Sequence, residues 1–221
     1  MIILIVVVMF GGSWLVRWWM TRTYARWQAV PNAVGATGEQ VARHILDTNN
    51  LQYVQMEVSP GQLTDHYVPA QKLLRLSQAI NNERSVASIA VAAHECGHAL
   101  QDAKHYPPLK WKARLMPAAV AGNNLGMLMA LGGGMVGSSL LLDVGMLLFA
   151  GGVLMPVLTL PIEFDASKRA LQQLESLNLV NEQDYDGARS MLTAAALTYV
   201  AGAATSMIFL VMIASRFLGR R

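Results

Sequence analysis

The sequence predicts a mainly α-helical integral membrane protein, with about four transmembrane helices and one water-facing α+β region carrying a small β element. Three observations predict this class. Of the 221 residues, 53% are hydrophobic and only 14% charged, whereas a soluble globular chain carries about a quarter charged residues. The mean hydropathy is +0.34, unusually high for a soluble protein. Between Arg114 and Glu163 the only charged residue is Asp143, a stretch far longer than the roughly 20 residues one helical crossing needs.

The first element is MIILIVVVMFGGSWLVRWWM, residues 1–20, apolar as far as Val16 and closed by Arg17, whose long side chain can snorkel to the interface. A cleaved signal peptide would begin with positive residues and end with small ones, so this segment reads as a retained anchor. Arg17, Arg22 and Arg26 follow it and no basic side chain precedes it. That asymmetry puts the following region on the cytoplasmic side of the membrane, in a multi-pass protein. Residues 21–115 form the main water-facing region. Thr37-Gly38-Glu39-Gln40 has capping-box spacing and opens a helix that stops at Asn49-Asn50. LQYVQMEVS has strand character and ends at the Pro60-Gly61 turn signal. LTDHYVPAQKLLRLS reads as a further strand or an irregular hairpin broken near Pro69, and Ser85 caps a helix over about 86–104.

Residues 116–161 then read as a transmembrane hairpin, two crossings joined by a short loop around 134–144, where Gly132-Gly133-Gly134, Gly137 and Asp143 offer places to turn. A polar segment follows at 162–193, and 194–221 carries a last crossing that ends in Arg216, Arg220 and Arg221, against the positive-inside tendency. Trp14, Trp18, Trp19, Trp27 and Trp111 all fall near one expected interface, where amphipathic rings favour the headgroup level. The formal charge of +3 is too small to argue for nucleic acid, and the bilayer itself is the expected partner. One cysteine excludes an internal disulfide and a Cys-rich zinc module.

Chemistry concentrates in VAAHECGHALQ, residues 91–101. Inside a helix, His94 and His98 project from one face four residues apart and can meet a single ion, with Glu95 one step round. This is the H-E-x-x-H arrangement of zinc hydrolases. Zinc lowers the pKa of a water at its open position to about 7, and the glutamate accepts the proton. Cys96 points away from the histidine face and reads as a packing residue. Gly97, unfavourable in mid-helix by about 1 kcal/mol against Ala, suggests close approach of another backbone. A tridentate site needs one more ligand. The metzincin spacing would require glycine and histidine at 101 and 104, where Gln101 and Lys104 stand. His105 is one residue late and beside a helix end. Glu163 is the better candidate, because two crossings return the chain to the side that holds His94 and His98.

With these residues in view, the chain resembles the membrane zinc metallopeptidases of the YugP type, relatives of the HtpX and CAAX-prenyl protease group of gluzincins. The stretches that carry the resemblance are TGEQVARHILDTNNL, LTDHYVPAQKLLRLS, RSVASIAVAAHECGHALQDA and LPIEFDASKRAL. It implies one Zn²⁺ per chain on His94, His98 and Glu163, Glu95 as general base, and a gluzincin-like peptidase region at the cytoplasmic membrane surface. It also implies a protein or peptide substrate taken as an extended strand near 64–77. The HtpX-like pattern after the third ligand has an aspartate where this chain has Ser167, which leaves Asp165 or Asp102 to orient a ligating histidine. A donor for the transition-state oxyanion is available in His66, Tyr67, His105 or Arg169. The alternative to an endopeptidase of membrane or membrane-proximal proteins is a non-catalytic zinc-binding membrane scaffold, which has no need of Glu95. A metal transporter would want ionisable residues within its spans, and these spans offer almost none.

Overall fold

The computed structural model describes residues 2–218, with side-chain environments over 11–215. Its elements in chain order are α1 (Ile2–Gln28), α2 (Gly38–Thr48), β1 (Gln55–Ser59), β2 (His66–Val68), β3 (Leu73–Ser77), α3 (Gln78–Asn82), α4 (Val86–Ala103), α5 (Pro107–Val136), α6 (Ser139–Val153), α7 (Met155–Ser176) and α8 (Glu182–Leu218). The protein is mostly helical with one small sheet, as the composition predicts.

The water-facing region is built around α4. Ser85 caps it, its Oγ accepting from the Ser88 amide at 3.1 Å. Its inner face is largely alanine: Ala87, Ala90, Ala92, Ala93 and Ala99 are all buried, so neighbouring elements approach closely. α2 packs on one side through Val41, Ile45 and Leu46. It begins with the expected box, in which Thr37 Oγ1 accepts from the Gln40 amide and the Gln40 side chain accepts from the Thr37 amide. Its C-terminus shortens the expected first strand. Asn50 adopts φ +61 and the Leu51 amide returns to Leu46 O at 2.8 Å, so residues 49–54 close the helix and only Gln55–Ser59 extends as β1. The sheet order is β1-β3-β2, with β1 parallel and β2 antiparallel to β3. Leu74 and Leu76 of β3 reach the same core as α4.

Among the described residues, three stretches are long and apolar enough to cross a bilayer: Pro107–Val136, Ser139–Ser176 and Glu182–Ser215. Their surfaces expose Leu128, Leu131, Met135, Leu140 and Val211, an apolar exterior that suits lipid and not water. The fourth expected crossing, residues 1–20, falls largely on side chains outside the described residues, as do Arg216, Arg220 and Arg221. The hairpin loop is tighter than the sequence suggests. Gly137 alone takes the left-handed conformation, φ +70, and Ser138 caps α6. Gly133 and Asp143 lie inside helices instead. Gly126 and Gly145 let α5 and α6 pack backbone to backbone, since a Cβ on Gly145 would meet Gly126 O at 2.8 Å. Trp14, Trp18, Trp19 and Trp111 are exposed, but Trp27 is buried in the core against Gly187. Its place in the interfacial cluster is therefore corrected.

The contact that positions the site lies between α4 and α7. A Cβ on Gly97 would collide with the carbonyl oxygen of Ala166 and come within 3.1 Å of its Cα. The mid-helix glycine thus answers to a close backbone approach, as its sequence context suggests. We expect Gly97→Ala to force the two helices apart and destabilise the chain by about 1–3 kcal/mol or more. Thermal unfolding in detergent micelles, with bound zinc measured alongside, checks this. An unchanged midpoint and full zinc would contradict the close approach.

Candidate metal centre

α4 carries His94, Glu95 and His98, and α7 carries Glu163. The two imidazoles share one helix face, ring centroids 4.8 Å apart and nearly perpendicular at 84°. From α7 the Glu163 carboxylate enters beside both. Its Oε2 lies 3.3 Å from His94 Nε2 and 3.6 Å from His98 Nε2.

Groups behind the rings decide which nitrogen faces the carboxylate. The Gln101 amide donates to Ile162 O at 2.7 Å and to Asp165 Oδ2 at 2.9 Å. Its oxygen is thereby turned to His98 Nδ1, 3.0 Å away. An amide oxygen can only accept, so this network assigns the proton to Nδ1 and leaves a lone pair on Nε2. Ser167 Oγ stands 3.2 Å from His94 Nδ1 and can accept in the same way. Two lone pairs and a buried, hydrogen-bond-free Oε2 of Glu163 then converge. An unpaired buried charge is strongly unfavourable, and a cation among the three atoms removes the conflict. The donor atoms all lie within 4.8 Å of one another. Two imidazoles and one carboxylate are a ligand set that zinc takes at catalytic sites with one position left open. The residues present fit zinc.

Glu95 is buried beside this cluster and lines two adjoining cavities. The larger, about 370 Å³, also takes in His98, Glu163, His66 and Lys112. The smaller, about 140 Å³, includes His94. The site is electronegative: burial by itself pushes the His98 imidazolium pKa down, but Glu163 and Glu95 outweigh it and the net shift is upward.

Comparison with known proteins shows the family. The family model described as "Putative neutral zinc metallopeptidase" matches residues 1–217. The chain belongs to the neutral zinc metallopeptidase family. "Putative membrane protease YugP" of Bacillus subtilis (strain 168) is 36% identical over 219 residues, which cover 99% of this chain and 97% of that relative. No solved structure matches. The YugP-type resemblance drawn from the four sequence stretches is borne out.

Within this family member, the groups around the ligands sort differently from the sequence expectation. Ser167 itself faces His94. Asp165 acts on His98 only through Gln101, and Arg169 holds it in place with Nε 2.5 Å from Oδ2. Asp102 reaches neither histidine. Its Oδ2 accepts from Tyr67 Oη at 2.8 Å and Lys72 Nζ at 2.5 Å, so it ties the β2–β3 hairpin to α4. Burial and that bond to Asp102 push the Tyr67 phenol pKa well up, and its hydroxyl is committed there. Arg169 is likewise committed to Asp165. His66 lines the larger cavity, its Nδ1 2.7 Å from Thr64 O. His105 is exposed at φ +56 past the end of α4, outside the ligand cluster. Cys96 is fully buried, with Sγ 3.6 Å from Ala42 O, and burial raises its thiol pKa. It packs.

Two residues escaped the sequence reading. Gln101 stands three residues after His98 on the same face, a spacing that could have revealed it. Tyr199 of α8 lines both cavities, and inside an apolar run only its hydroxyl distinguished it. We expect Gln101→Leu to lower zinc affinity about 10–100-fold and Ser167→Ala to act in the same direction, the range seen when groups orienting a metal ligand are removed. Competition with a chromogenic chelator measures both. Unchanged affinity in Gln101→Leu would remove the tautomer argument.

Proposed function

We propose that this chain is an integral-membrane, zinc-dependent endopeptidase that hydrolyses peptide bonds of membrane or membrane-proximal proteins. The observation that carries the reading is the convergence of His94 Nε2, His98 Nε2 and Glu163 Oε2 beside a buried glutamate that lines open cavities. One Zn²⁺ would be held by His94, His98 and Glu163, and when bound it acidifies water and polarises a carbonyl.

The remaining work falls to the chain. Glu95 accepts a proton from the attacking water as oxygen bonds to the carbonyl carbon, and passes it to the amide nitrogen as the C–N bond breaks. The carbonyl oxygen gains negative charge in that step and needs a donor. Of the expected donors, Tyr67 and Arg169 are committed away from the cluster and His105 lies outside the site. The Tyr199 hydroxyl, which borders both cavities and interacts with Glu163 itself, is the donor we favour, with His66 at the cavity rim. Substrate enters as an extended segment. Within 64–77 the central strand β3 is paired on both sides, and the sheet order leaves an edge on β2, His66–Val68. Asp65, His66, Tyr67 and Pro69 border the larger cavity together with Glu95, so a peptide added to β2 would run past the site. The site belongs, on this reading, at the cytoplasmic surface of a bacterial membrane. Its support is the run of arginines after the first apolar segment, the exposed tryptophans, and the position of Glu163 where an apolar hairpin gives way to polar sequence.

A scaffold would have no use for Glu95 or for the cavities it lines. Bound zinc and casein cleavage by purified wild type, Glu95→Gln and Glu163→Ala test the assignment together. Glu95→Gln should retain about one zinc and lose about 10²–10⁴-fold in rate, and Glu163→Ala should lose most of its zinc. If Glu163→Ala keeps its zinc, the ligand set is wrong. If Glu95→Gln still cuts, the base is another group. Tyr199→Phe should lower kcat with KM and zinc nearly unchanged, the pattern of a group used only in the transition state.

A further inference from the structure

The smaller cavity has features the peptidase reading does not use. It opens beside His94 and Glu95, and its other walls are mostly apolar: Met20 of α1, Val91 of α4, Met191, Leu192 and Ala195 of α8, and Leu63 of the loop before β2. Four separate parts of the chain therefore converge on one pocket of about 140 Å³ next to the water-activating glutamate. Glu95, Asp65 and Tyr199 line it and the larger cavity alike. These three form the wall that the two cavities share, with His98 and Glu163 on one side and His94 on the other.

Leu63 supplies an independent indication. It is 45% exposed, which an isolated surface leucine tolerates, but it also adopts φ +54. The left-handed region is unfavourable by about 1–2 kcal/mol for a residue with a Cβ, and strain of this kind gathers at ligand clamps. The loop that holds it is fixed at both ends. Thr64 Oγ1 donates to Pro60 O at 3.1 Å, and Asp65 accepts from the Ser77 amide at 2.7 Å and the Ser77 hydroxyl at 3.1 Å. Burial raises the Asp65 pKa, partly offset by those Ser77 bonds. With one bond from Ser77 to each carboxylate oxygen, Asp65 is held in place on the pocket wall.

Resting on the peptidase reading, we propose that this pocket is the specificity subsite for the residue flanking the scissile bond, and that it selects a compact aliphatic side chain, leucine or methionine. Size and lining support that choice. An apolar cavity of roughly 150 Å³ holds one benzene-sized group, so glycine and alanine leave it underfilled and tryptophan overfills it. An acidic side chain would lose its hydration against Met20, Val91 and Leu192 and face the like charges of Glu95 and Asp65, and a basic one would find those carboxylates only on the wall shared with the larger cavity. The larger cavity, with His66 and Lys112 on its wall, imposes no such restriction.

Two variants test the pocket without touching the metal ligands or Glu95. Ala195→Leu fills it from α8, and Leu63→Ala opens it at the loop, where half-exposure makes misfolding a minor risk. In detergent micelles, peptides that vary only at the flanking residue are compared as glycine, alanine, leucine, tryptophan, lysine and aspartate. Wild type should cut the leucine peptide at least about tenfold faster than the glycine one, since a single methylene in an apolar pocket is worth about 10–200-fold. Ala195→Leu should lose that preference while keeping its rate on alanine, and Leu63→Ala should admit tryptophan. Calorimetric binding of the N-blocked hydroxamates of glycine, leucine and tryptophan to the zinc-loaded wild type and both variants reads the same subsite without turnover. If leucine hydroxamate binds at least tenfold tighter than glycine hydroxamate, and Ala195→Leu removes the difference, the pocket takes an aliphatic side chain, and a lack of cleavage would then overturn the peptidase reading and not the pocket's selectivity. A flat hydroxamate series, or a preference that neither variant alters, overturns the subsite.

Discussion

Everything at the site depends on how near two backbones can come. α4 brings a pair of imidazoles and α7 a carboxylate, and the three donor atoms meet only because Gly97 lets α4 rest against the Ala166 peptide. Glu163 is three residues before Ala166 and His94 three before Gly97, so the contact sets the distance between ligands one helical turn away. Small residues along α4 extend the same logic to α2 and the sheet. A helix that is approached from several sides carries alanine at a third of its positions, beside packing residues such as Ile89 and Leu100.

The second constraint is electrostatic. Glu95 and Glu163 are both buried, and the nearest groups are imidazoles whose outer nitrogens are already engaged by Gln101 and Ser167. Each hydrogen bond behind a ring directs a lone pair forward. The chain Arg169–Asp165–Gln101–His98 shows how far that direction reaches: a part-buried ion pair fixes an amide, the amide fixes a tautomer, and the tautomer turns a lone pair toward Glu163.

Much of this was legible in the sequence, and the gaps have physical reasons. The helix over 86–103, the capping box at Thr37 and the return of Glu163 to the histidines follow from spacing and from counting crossings. So does the packing role of Cys96. Spacing could not separate glycines that turn a chain from glycines that admit a neighbour, so Gly133 read as part of a loop when only Gly137 turns. Trp27 read as an interfacial ring because all five tryptophans fall near the ends of apolar segments, although Gly187 leaves it a slot in the core. Asp102 shares a helix with the histidines, but its side chain turns to the hairpin. Tyr199 was hidden by its surroundings, since a phenol in an apolar run looks like part of the span.

α7 runs without interruption from the apolar hairpin to the third ligand. Helix α4 alone offers two imidazoles and no carboxylate, and the third group arrives only when α7 lies against it. The cluster is therefore a property of the packed helices, and no single element of the chain carries it.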